Sequence, residues 1–170
     1  MIRPLVFALA LALPATGAWG DMYDDCKQSA DLDLRIRGCT QVIGRGEKEA
    51  RKNLTAAYYN RGRAYEKKGE VDRAIADYDK AIVLDRHLAP AYFNRGNANY
   101  SKGKVDHAIS DFHKAIAFDP NYAPAYNNRG RAYEKKGDKE QAIADFRKVL
   151  EIDPSDQDAK EGLKRLGVTP

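Results

Sequence analysis

Cysteine, histidine and tryptophan are scarce in this chain, and long apolar runs are scarcer. Two cysteines, three histidines and one tryptophan occur in 170 residues. Cys26 and Cys39 are not spaced as Cys-x-x-Cys and no histidine accompanies them, which argues against a zinc or dithiol site. His107 and His113 stand six apart on one predicted helix, on different faces, and His87 lies elsewhere, so the histidines form no metal pair. A nucleophile elbow and a phosphate-cradling glycine loop are also missing. These absences predict a protein with no catalytic residues, no metal and no cofactor, which is to say no enzyme.

A net charge of +4 and a pI near 9.0 would suit a nucleic-acid binder, but no block of like charge and no interleaved basic and aromatic motif accompanies them. Acidic and basic residues alternate instead, as Glu66 beside Lys67 and Lys68, the pattern of a solvated helix face. No nucleic-acid partner is expected. The longest apolar stretch, Leu5 to Leu13, is too short to span a bilayer comfortably. With Arg3 before it, Pro14 after it and Ala18-Trp19-Gly20 before Asp21, residues 1–20 read as a secretory signal peptide. No twin arginine precedes the stretch and no cysteine directly follows it, which argues against a lipid anchor. The expected product is exported, periplasmic or secreted, with no stable membrane span once the signal is removed.

What the chain does have is repetition. Gly62, Gly96 and Gly130 are spaced by 34 residues, as are Tyr58, Tyr92 and Tyr126, then Ala74, Ala108 and Ala142, and Tyr78, Phe112 and Phe146. A fixed period of this length marks units that cannot bury their own apolar faces and must stack on neighbours. Within one unit Tyr126 and Tyr133, then Ile143, Phe146, Val149 and Leu150, recur at spacings of three and four, so each unit is two amphipathic helices parted by Gly69, Gly103 or Gly137. Glycine inside the first helix costs roughly 1 kcal/mol relative to alanine. A close approach to Ala74, Ala108 or Ala142, letting the neighbouring rings bury, is the expected compensation. Asp77, Asp111 and Asp145 are read as solvated charges near Lys80, Lys114 and Lys148.

The spacing and the recurring slots resemble the tetratricopeptide repeat family over about 100 residues. Counted from Thr55, Ala89 and Ala123, the repeats run 55–88, 89–122 and 123–156; Asn99 departs from the aromatic found at Tyr65 and Tyr133, and arginines 61, 95 and 129 stand where leucine is common. The resemblance implies an all-α solenoid of three helix-turn-helix repeats. A divergent N-terminal hairpin over 21–46 precedes them, residues 47–54 link it to or extend into the first repeat, and a capping helix and tail occupy 157–170. Ser155 is the expected helix start of that cap, with Ala159, Leu163 and Leu166 as its apolar stripe.

In the hairpin, alignment puts Cys26 in the slot of Tyr65 and Cys39 in that of Tyr78. Export predicts a disulfide between them. Those slots lie some way apart in an undistorted repeat, whereas a bridge needs Cα atoms within about 7 Å.

The resemblance further implies that the first helices line a concave peptide groove. Carried over by position, its residues are Tyr59, Phe93 and Asn127; Asn60, Asn94 and Asn128; Arg63, Asn97 and Arg131; and Glu66, Tyr100 and Glu134. The family's chaperone-tail clamp is matched only at Asn94; it requires lysine at Tyr59, asparagine at Arg63, lysine at Pro124 and arginine at Asn128. Two functions are compatible with these features. One is a non-catalytic adaptor or scaffold binding a peptide or protein in the groove, and the other an accessory or regulatory subunit of an envelope enzyme, binding through a convex or end surface. Three repeats with caps are near the minimum for independent stability, which leaves self-association open.

Overall fold

The structure, a computed structural model, describes residues 17–169. The expected leader lies largely outside them, and its last residues, Gly17 to Gly20, stand within the first helix. Among the described residues the regular elements are helices alone: α1 (Gly17–Gln28), α2 (Leu32–Gly44), α3 (Arg51–Lys67), α4 (Val71–Leu84), α5 (Ala89–Ser101), α6 (Val105–Phe118), α7 (Ala123–Lys136), α8 (Lys139–Ile152) and α9 (Gln157–Arg165). Consecutive helices pack as antiparallel pairs, and each pair leans on the next. A short 3-10 turn, Gly46–Lys48, leads from the hairpin into α3.

Local chemistry sets the ends of these helices. Pro90 and Pro124 sit in the first turns of α5 and α7, where a missing N–H leaves nothing unsatisfied. Gly137 ends α7 in the left-handed conformation at φ 87°, and Gly69 and Gly103 turn the chain the same way at 77° and 75°. Asp31 caps α2 by accepting from the amides of Asp33 and Leu34. For α9 the cap is Asp156, which accepts from the Ala159 amide at 2.8 Å; Ser155 instead bonds back to Asp153. The expected start at Ser155 is therefore off by one residue.

The core repeats with the sequence. Tyr78, Phe112 and Phe146 are fully buried, with Ala74, Ala108 and Ala142 fully buried one turn away. The helix glycines face these rings more closely than they face the alanines. A Cβ built at Gly96 would lie 2.7 Å from the Phe112 ring, and one at Gly62 2.8 Å from Tyr78. Phe146 is held between two such residues, Gly130 of α7 and Gly162 of the cap. Burial of each ring is worth about 1.5–3 kcal/mol, enough to offset the helix cost of the glycine beneath it.

The buried aspartates overturn the expectation of solvated charges. Asp77, Asp111 and Asp145 are 5%, 5% and 4% exposed, and each is gripped by an arginine of its own repeat. Arg95 donates from Nε and Nη2 to Asp111 at 3.0 and 2.5 Å; Arg61 holds Asp77 at 2.7 and 2.8 Å, and Arg129 holds Asp145 at 2.8 and 2.6 Å. The remaining nitrogen reaches the second helix of the preceding pair, at Thr40, Asp79 or His113. Each arginine thus joins three helices while stacking near Tyr58, Tyr92 or Tyr126. Burial pulls the Arg95 guanidinium down, but its bonds to Asp111 and Asp79 outweigh that and leave its pKa raised. Asn99, the departure from the aromatic slot, is buried and donates to Asp111 at 3.2 Å.

The N-terminal hairpin uses a different close approach. Cys26 and Cys39 are bonded, with Cα atoms 4.5 Å apart. Gly38 makes this possible: a Cβ there would lie 2.7–2.8 Å from Asp25 Cβ, Met22 O and Cys26 N. In the repeats the glycine belongs to the first helix and meets a ring, whereas here it belongs to the second and meets backbone.

Candidate functional site: the face of the first helices

The helices α1, α3, α5, α7 and α9 stand side by side, each touching the next. Their shared face carries most of the expected groove residues. Tyr59 packs its ring on Tyr78 at 6.1 Å and its hydroxyl accepts from Asn94 Nδ2 at 3.2 Å, tying α3 to α5. Burial raises this hydroxyl above the ordinary phenol range. The guanidinium of Arg63 lies 5.8 Å over the same ring. One repeat on, Asn128 Nδ2 donates to Asn97 Oδ1 at 2.7 Å, tying α5 to α7.

A cleft of about 470 Å³ between α3 and the chain joining α4 to α5 is lined by Arg51, Thr55, Ala56, Tyr59, Leu84 and Leu88, and two more open between neighbouring first helices. Between α5 and α7, Asn97, Tyr100, Asn128 and Arg131 surround about 210 Å³ above the edge of Phe112. Arg131 is exposed and donates no hydrogen bond to any described residue, and Lys135 stands 4.9 Å over the Tyr100 ring. Between α1 and α3 a second cleft of about 320 Å³ is walled by Tyr23, Cys26, Val42, Ala56 and Ala57, with Lys27, Asn53 and Asn60 as its polar lining.

Phe93 and Asn127 are less available than their positions suggest. Phe93 packs on Phe112 at 6.0 Å and on Tyr122 at 4.9 Å. Asn127 is buried, 7% exposed; its amide donates to Asp156 at 3.4 Å, and its Oδ1 has no partner among the described residues. The structure thus brings Tyr59, Asn60, Arg63, Phe93, Asn94, Asn97, Asn128 and Arg131 onto one face and leaves Asn127 beneath it. Leu88, Tyr122 and Asp156 explain the difference. They recur at the 34-residue period as the last residue of each repeat, and each sits near its own repeat's Tyr59, Phe93 or Asn127. Where the cap supplies Asp156 in place of an apolar residue, its partner is an amide in place of a ring. Sequence reading missed Tyr122 and the α1 wall, although the period that exposes Tyr122 was there to be used.

Glu66 and Glu134 are engaged internally. Glu66 accepts from the buried Tyr78 hydroxyl at 2.6 Å. Arg165 of the cap donates from Nε and Nη2 to Glu134 at 3.0 and 2.9 Å, and this bonding holds the Glu134 carboxyl below its ordinary range. A depressed folded value means stability present above the unfolded carboxylate range and lost as pH falls through the folded one. Both partners are substantially exposed, so the gain is at most about 1 kcal/mol. Glu134→Gln is expected to lower stability slightly at neutral pH and to match the parent once acid has protonated Glu134, in paired denaturation curves.

Among the described residues no group of three or more His, Cys, Asp or Glu side chains is placed to hold a metal, and no helix is long and apolar enough to cross a membrane. A family model described as tetratricopeptide repeat matches residues 123–156, and another, described as TPR repeat, matches 62–103 and 96–137. The chain belongs to the tetratricopeptide repeat family. Solved tetratricopeptide repeat structures align closely with it. The Arabidopsis OM64 TPR domain is 30% identical with a TM-score of 0.68, covering 69% of this chain and 98% of that one. The first TPR of Spaghetti (RPAP3), bound to the HSP90 peptide SRMEEVD, is 30% identical with a TM-score of 0.65, covering 66% and 90%. MamA is 28% identical with a TM-score of 0.75, covering 87% and 86%. A search of curated proteins gave no match. Membership places this chain among helical repeat modules that generally work by protein contact and not by catalysis.

Proposed function

We propose that this tetratricopeptide repeat protein is an exported, non-catalytic adaptor that holds a peptide or protein segment across the face of its first helices. The observation that carries the reading is the α5–α7 cleft, where Asn97, Asn128 and Arg131 offer polar groups at the surface above an aromatic floor. Arginine and aromatic groups anchor interfaces, and amides suit an extended backbone. Similar domains of RPAP3 bind HSP90 and HSP70 peptides. The four departures from the chaperone-tail clamp argue that the segment held here is a different one. The Cys26–Cys39 bond supports export, since such bonds persist in oxidising compartments.

The test is binding of a random peptide library to the full chain and to variants. Arg131→Ala with Asn128→Ala is expected to cut affinity about tenfold or more, with helix content unchanged by circular dichroism. Lys80→Glu with Lys114→Glu, exposed on α4 and α6, is expected to leave affinity unchanged. The reverse pattern would place binding on the second helices, as in the accessory-subunit reading.

A further inference from the structure

The two clefts between neighbouring first helices differ in chemistry, and the difference gives the face a direction. At the α1–α3 end the lining is mostly apolar, Cys26, Val42, Ala56 and Ala57 with the Tyr23 ring, and its polar members are Lys27, Asn53 and Asn60. That end suits an apolar side chain. At the α5–α7 end the cleft is edged by amides and by Arg131, with Lys135 close by over Tyr100. Glu134, three residues beyond Arg131 on α7, is held by Arg165 of the cap. Arg131 lies within the field of Glu134 but has no hydrogen-bond partner among the described residues, so an incoming carboxylate would meet a cation whose neighbouring acid is bonded to Arg165. Between the clefts the surface is continuous through Asn60, Tyr59, Arg63 and Asn94, the last bonded to Tyr59 across the helix boundary.

Resting on the binding face argued above, we infer that the segment it takes is extended and amphipathic, with an apolar side chain in the α1–α3 cleft and an aspartate or glutamate at Arg131. The spacing follows from the stacking. The clefts are two helix intervals apart, each interval about 8–10 Å, so they lie roughly 20 Å from one another. An extended chain advances 3.3–3.6 Å per residue, which puts about six residues between the two anchors. Charge complementarity selects the acidic end and cleft lining the apolar one, and neither selects the chain direction, so both orders belong in the test.

The probes are fluorescent peptides of about twelve residues, with leucine and glutamate about six apart in a Ser/Gln background, in either order, titrated into the full chain by anisotropy. One order is expected to bind, and changing its glutamate to glutamine should weaken it about tenfold and flatten its salt dependence. Arg131→Ala is expected to erase the preference for glutamate over glutamine while keeping that for leucine over serine. Ala56→Arg, at an exposed position in the apolar cleft, should do the opposite. Equal affinity for the parent, glutamine and serine peptides, or preferences that survive both variants, would overturn the inference. If the library still bound and lost affinity on Arg131→Ala with Asn128→Ala, the binding face would stand without the polarity. If no peptide bound at all, both readings would fall.

Discussion

Asp111→Ala is expected to lower the unfolding free energy by about 3 kcal/mol, the lower part of the range for removing one partner of a buried ion pair. Alanine there would leave Arg95, which is only partly exposed, without the carboxylate that takes two of its nitrogens, and would strand the buried Asn99 amide. The loss should reach beyond one repeat, because Arg95 also reaches Asp79 of the preceding pair. Replacing both partners, Arg95→Leu with Asp111→Leu, is expected to cost less than the single change, since no charge is left buried alone. Leucine is also the common family residue at the arginine position. Urea denaturation of the three proteins checks this. A single variant as stable as the parent, or a double variant worse than the single, would show that the arginine ladder does not hold the repeats together.

Gly38→Val is expected to be as damaging, by roughly 3 kcal/mol or more, for two reasons that act together. Any Cβ at residue 38 would press on a carbonyl oxygen and an amide nitrogen of α1, and overpacking of this kind costs about 1–3 kcal/mol. The helices would then part, and the Cys26–Cys39 bond, worth on the order of 3 kcal/mol for so short a loop, could not close in its present geometry. Thiol titration should find free cysteines in the variant and none in the parent. Gly44→Ala on the same helix, where an added Cβ meets nothing within 4 Å, is the matched control and should fold and oxidise normally.

The period, the helix pairs and the cap were legible because they depend on spacing along one chain. Gly130 and Phe146 announce themselves by recurrence, and Ala159 and Leu163 by their stripe. The arginine ladder was not legible, although all six of its residues recur. Asp77 has Lys80 three residues away, and a local reading pairs neighbours on one helix. Its true partner, Arg61, is sixteen residues back on another helix. The distinction needed the packing angle. The same holds for the cysteines: aligned by the repeat, they fall in slots too distant to bridge, and only the placement of Gly38 on the second helix draws the pair together. At the site, position within the repeat found eight residues of one face. It failed to show Asn127 buried because its partner, Asp156, stands 29 residues on, at the far end of the same repeat where it caps α9, beyond the reach of local spacing.

Side-chain amides offer the most direct test of where this protein makes contact. In proton–nitrogen correlation spectra of the labelled chain, titrated with a peptide selected from the library, the account predicts shifts of the Asn94, Asn97 and Asn128 side-chain amides. The buried amides of Asn99 and Asn127 should stay in place. Shifts confined to the second helices, around Lys80, Lys114 and Lys148, with the first-helix amides unmoved, would contradict it.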